Sequence, residues 1–126
     1  MPPVPFDASE AEQIIRALAA VAAADGAILD REESFLEGFA VAHGLPTLKV
    51  GAHATTIAAP LDEHKLARTV RDPHKRAEVV ALCLEMAYCD RAYVASEREL
   101  ITRIARAFEL TEEQLNALTV AAKPRD

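Results

Sequence analysis

The sequence predicts an all-α domain of about seven helices. It is expected to form two pseudo-symmetric helix-loop-helix halves packed around two central apolar helices. Three observations carry this. Half of the 126 residues are apolar (51%), drawn mostly from Ala, Leu, Val and Ile, with only four Gly and no Trp. The β-branched residues show no sustained alternation of the kind a half-buried strand needs, whereas apolar residues recur at helical spacing. Finally, "ADGAILDREE" from Ala24 returns 65 positions later around "CDRAYVASEREL", with Asp25 on Asp90, Ala27 on Ala92 and Glu32 on Glu97. An internal duplication about an approximate two-fold is the natural reading of such self-similarity.

The elements follow in order. Residues 1–126 read as one domain, with 1–9 and 122–126 as loose ends. Ser9 with Glu12 suggests a capping box and a first helix from about Glu10 to Ala24; its second half, "ALAAVAAA", is apolar on all sides, the mark of a central helix. A second helix is expected over 30–42, stopped by Gly44 and Pro46, and a weaker third over 47–58 that contains Gly51. "AAPLDEHKLARTV" gives a short fourth. Asp72 and Pro73 open the fifth, a cap followed by Pro at the first helical position, which runs to about Cys89 and is the second central helix. The sixth spans about Ser96 to Phe108. Thr111 with Gln114 forms a capping box for the seventh, which ends near Ala121.

Composition excludes some functions. A formal charge of −6 and a pI near 5.2 argue against the electrostatic affinity that draws basic proteins to nucleic acid or to anionic membranes. The longest apolar run, Ala17 to Ala24, is far short of the ~20 residues of a spanning helix, and "MPPVPFDASE" lacks a signal-peptide pattern. A cytoplasmic protein is the expectation. Cys83 and Cys89 lie six apart on one expected helix, which turns them to different sides and prevents a disulfide.

The repeated acids carry the functional question. Ile14, Leu18 and Val21 form a stripe that Asp25 extends; Val79, Cys83 and Met86 form the same stripe before Asp90. Glu97 falls on the midline of the face formed by Leu100, Ile101, Ile104 and Phe108 at ~100° per residue. Glu32 has the same relation to Phe35, Leu36, Phe39 and His43, while Glu33, Glu37 and Glu99 point away. Inward carboxylates are costly unless hydrogen-bonded, paired or metal-bound. They can brace the loops by accepting backbone N–H groups. Alternatively Asp25, Glu32, Asp90 and Glu97 form a shared site of oxygen ligands, suited to Ca²⁺, Mg²⁺ or Mn²⁺. A true EF-hand is excluded. Asp25, Gly26, Ile28 and Glu32 fit its second half, but Val21 and Ala23 stand at its first two ligand positions, with Met86 and Tyr88 in the second repeat.

"AVAAADGAILDREESFL" and "MAYCDRAYVASERELITRIARAFELTEEQL" resemble the two hallmark segments of the tellurite-resistance TerB-like family, over about residues 10–121. The resemblance implies an all-helical, bacterial, intracellular domain of about seven helices, related to an N-terminal region of a membrane-anchored J-domain co-chaperone. It also places Asp25, Glu32, Asp90 and Glu97 on acidic positions for which metal binding has been proposed. The sequence departs from the family pattern at Leu29 and Val94, where Ser or Thr is usual, and at Arg91, which replaces the second Gly.

No phosphate loop or nucleophile elbow is present. His43, His53, His64 and His74 lie about ten apart, without metal-ligand spacing. The function expected is therefore a non-enzymatic, stress-associated helical module that binds a protein partner and carries a divalent cation on its repeated acids. The alternatives are a pure protein-interaction domain braced by the acids and, further off, a metal-dependent hydrolase.

Overall fold

The computed structural model describes residues 6–22, 30–42, 62–88 and 95–122, with only the backbone at 30–32. These residues form six helices and no strand: α1 (Ala8–Ala22), α2 (Asp30–Ala42), α3 (Glu63–Thr69), α4 (Pro73–Tyr88), α5 (Ala95–Ala107) and α6 (Glu112–Ala122). The further helix expected over 47–58 lies outside the described residues. No helix among them is long and apolar enough to cross a membrane.

The two stripes seen in the sequence are the centre of the core. Ile14, Leu18 and Val21 on α1 and Val79, Cys83 and Met86 on α4 are all 0% exposed. α1 and α4 pack against each other. α1 also touches α2, α3 and α5, and α4 touches α2, α5 and α6. α2 brings Leu36, Phe39 and Ala40 to this core, and α5 brings Ile101, Ile104, Ala105 and Phe108. α6 buries no residue fully and lies on the core through Leu115, Leu118 and Ala122.

The 65-residue offset of the sequence persists in the helices. α1 begins at 8 and α4 at 73; α2 spans 30–42 and α5 95–107. Their inward positions match as well: Ile14 and Val79, Leu18 and Cys83, Leu36 and Ile101, and Phe39 and Ile104 are buried in pairs.

Each helix start has a physical cause. α1 starts two residues before the expected position, and Ser9 does not cap it. Asp7 does: its Oδ1 accepts the Glu10 N–H (2.8 Å), while Glu10 Oε1 accepts the Asp7 N–H (2.9 Å). Aspartate caps as well as serine, and the earlier start leaves Glu10 and Ala11 buried on the inner face. It also brings Phe6 against Phe39 of α2, ring centroids 6.4 Å apart. Asp72 caps α4 as expected, accepting from His74 and Lys75 N–H. Thr111 and Gln114 close the expected reciprocal box on α6. Asp62 caps α3 through His64 and Lys65 N–H.

Two side chains tie the helices together across long sequence distances. Lys75 Nζ donates to Glu10 Oε1 at 2.9 Å, joining the first turns of α4 and α1. Arg76 donates to three carbonyls, those of Ala67 (2.8 Å), Val70 (2.7 Å) and Phe108 (3.1 Å), and its guanidinium lies 5.3 Å from the Phe108 ring centroid. Those carbonyls are orphaned at the ends of α3 and α5, where a cation is electrostatically favoured.

α5 ends in a Schellman motif: Leu110 N–H bonds Ala105 O and Glu109 N–H bonds Arg106 O. Glu109 holds the left-handed position, φ 62°, where glycine is usual; Gly44 stands 65 positions earlier.

Two predictions follow from these contacts. Glu109→Gly relieves the left-handed strain, partly offset by the extra freedom of the unfolded chain, and should stabilise the protein by about 0.5–1 kcal/mol in urea melts. The side chain it removes is 88% exposed and only 4.0 Å from Arg76, a contact worth little. Glu10→Ala should cost about 1–2 kcal/mol, because it removes half of a buried capping box. Glu12→Ala, on an exposed i,i+4 pair with Arg16, should be close to neutral in the same assay.

Candidate functional site

Of the four repeated acids, Glu97 is the one whose side chain is described. Asp25 and Asp90 lie outside the described residues, and Glu32 is described by its backbone alone. The two glutamates share a register: each is the third residue of its helix, α2 or α5. The dipole at a helix N-terminus favours a negative charge there.

Glu97 is 3% exposed, on the buried face of α5 that also carries Ile101, Ile104 and Phe108. Glu37 and Glu99 are exposed, as their phases predict, and Glu33 is half-buried. A buried carboxylate in this setting must be compensated. Among the described residues, no buried side-chain nitrogen or oxygen lacks a hydrogen-bond partner.

Among those same residues, no three His, Cys, Asp or Glu side chains gather as a metal site would require. His64 and His74 are exposed; His43 and His53 lie outside the described residues. Cys83 is a free, fully buried thiol, and burial pushes it up to about 12, the opposite of an activated nucleophile. Cys89 lies outside the described residues.

The structure adds polar groups that spacing alone did not single out. Glu10 is a second buried N-terminal-turn glutamate, 6% exposed. Its signal was present as Asp7-x-x-Glu10, in competition with the overlapping Ser9-x-x-Glu12. Glu63 and Arg103 pair at 2.9 Å between α3 and α5, forty positions apart, a distance no local pattern encodes. The Glu63 carboxyl is held below its usual range, first by its own backbone N–H and then by Arg103.

These features define an all-helical domain with buried glutamates at helix starts and, among the described residues, no activated nucleophile. The chain belongs to the family described as "Protein of unknown function (DUF533)", whose model matches residues 3–122. Neither a curated protein nor a solved structure matches it at significance.

The burial of Cys83 has a direct consequence. At pH 8 the native protein should be modified at Cys83 by a thiol reagent no faster than the chain opens, read by mass spectrometry of digested protein. Because the folded chain holds this thiol proton more tightly than the unfolded chain, the stability it contributes is complete below the ordinary value of 9.0. It is lost as pH rises toward about 12. Rapid native-state labelling of Cys83 would contradict the packing of α4.

Proposed function

We propose that this protein is a non-enzymatic, cytoplasmic helical module of the TerB-like type, acting in stress-associated assemblies through a protein partner. Its repeated acids Asp25, Glu32, Asp90 and Glu97 hold a divalent cation, Ca²⁺, Mg²⁺ or Mn²⁺. The observation that carries this reading is the burial of Glu97 on an apolar helix face, in the register that Glu32 occupies on α2. A carboxylate is kept in such a place for a compensating charge or donor.

The two halves are read as a duplication about an approximate two-fold. In support, the helix starts, the capping Asp7 and Asp72, and the inward positions all recur at 65 residues. Glu10 and Lys75 are equivalent positions under that offset, and they touch. Equivalent residues meet only near a symmetry axis.

A second reading is favoured by Glu10. It is also buried, also third in its helix, and its carboxylate is spent on a backbone N–H and Lys75. Glu97 acting likewise would brace the fold with no ion.

Melting experiments separate the two. If the acids form a cation site, they repel one another when it is empty, so Asp25→Asn and Glu97→Gln should leave the protein in EDTA unchanged or more stable. Cation at ~100 times its Kd should raise the wild-type Tm by about 7–14 °C, from about 2.7 kcal/mol of linkage, and neither variant should respond. A wild type indifferent to millimolar Ca²⁺, Mg²⁺ and Mn²⁺, with both variants destabilised in EDTA, would leave the acids as braces.

A further inference from the structure

A cavity of about 260 Å³ opens between the start of α3 and the end of α5, lined by Glu63, His64, Arg103, Arg106 and Ala107. Its charge runs against that of the chain. The protein carries −6 overall, yet two guanidinium groups and an imidazole converge on this cavity against one carboxylate.

That carboxylate is already spent. Glu63 Oε1 accepts Arg103 Nη2 at 2.9 Å, and the pair cancels. Arg103 uses one donor of its five on Glu63, and its side chain remains 55% exposed. Arg106 is exposed and makes no side-chain hydrogen bond or ion pair among the described residues. The α5 dipole accounts for a cation in the last turn. It does not account for Arg103 and His64 facing the same space from two different helices. In formal charge the Glu63–Arg103 pair cancels, which leaves Arg106 in excess on a lining that also carries His64.

We propose that this cavity is an oxyanion site, taking the carboxylate or phosphate group of a small solute. Arg106 supplies the principal charge, and its planar fork matches two oxygens of such a group. Arg103 and His64 supply further donors. Glu63 holds Arg103 in place across the gap between helices. The volume admits an anion with a few carbon atoms and is smaller than the ~300–1,000 Å³ of drug-sized pockets. This proposal is independent of the repeated acids and of any cation they hold.

The test is a titration of the full-length protein with inorganic phosphate and, separately, with acetate. Ionic strength is held constant with chloride, and amide chemical shifts around 63, 103 and 106 are followed. Saturable shifts centred on these residues are expected with at least one of the two anions, and whichever saturates identifies the oxyanion. Arg106→Gln should weaken that binding about tenfold or more. Its melting temperature should be unchanged, since its side chain is exposed and unpaired. Arg16→Gln, an exposed arginine on α1, should bind like the wild type. Shifts that do not saturate beyond the chloride control for either anion would overturn the proposal. So would binding that survives Arg106→Gln undiminished.

Discussion

α1 and α4 can be buried only against each other and a shell of neighbours, and the rest of the molecule answers to that constraint. Each carries apolar residues around most of its circumference, so neither can be a surface helix with one wet face. Packing them together removes Ile14, Leu18, Val21, Val79, Cys83, Leu84 and Met86 from water, each worth on the order of 1.5–3 kcal/mol for the larger side chains. The remaining sides must then be covered. α2 and α5 each lie across both central helices, α3 closes α1, and α6 closes α4. The covering helices are amphipathic because they have only one side to bury; α6, the least buried, contributes no fully enclosed residue.

Apolar packing alone would leave the two central helices free to slide, because it has no preferred direction. Directional bonds at the helix ends supply what packing lacks. The Lys75–Glu10 contact joins the first turns of α1 and α4, and it works because Glu10 is itself fixed by the Asp7 capping box. Arg76, one residue on, reaches the carbonyl ends of α3 and α5. Two consecutive residues at the start of α4 thereby set its position against three other helices. Both are long cationic side chains whose stems cover apolar surface while their heads find oxygen.

Much of this was legible in the sequence, for identifiable reasons. The stripes on α1 and α4 could be read because helical periodicity is a local signal, and the buried phase of Glu97 followed from the same arithmetic. The Asp72-Pro73 start and the Thr111–Gln114 box could be read because their bonds span two or three residues. What escaped was either degenerate or distant. Two overlapping capping boxes, Asp7/Glu10 and Ser9/Glu12, competed at the start of α1; burial of Glu10 and the contact of Phe6 with Phe39 decided between them. No local pattern singles out Lys75, Arg76 or Arg103, because their partners at Glu10, Phe108 and Glu63 are assigned only by the tertiary fold.

The comparison of Glu10 with Glu97 bears on why the acids recur. Both are buried third residues of helices, so position alone cannot separate a brace from a ligand. What differs in sequence is the residue at the cap position. Glu10 has an aspartate cap before it and a lysine opposite, enough to satisfy a full negative charge without an ion. Glu97 has Val94 where a capping side chain would stand, and Glu32 has Leu29; neither can return the reciprocal side-chain bond that completes a box. In the second half, Arg91 stands beside Asp90 in sequence, whereas the first half has Gly26 at that place. The cationic neighbours of the acids in sequence thus differ between the repeats: Arg91 follows Asp90 in the second, and Arg31 precedes Glu32 in the first. If the acids share a cation, that asymmetry makes Asp25, with Ala24 and Gly26 beside it in sequence, the acid that depends on it most.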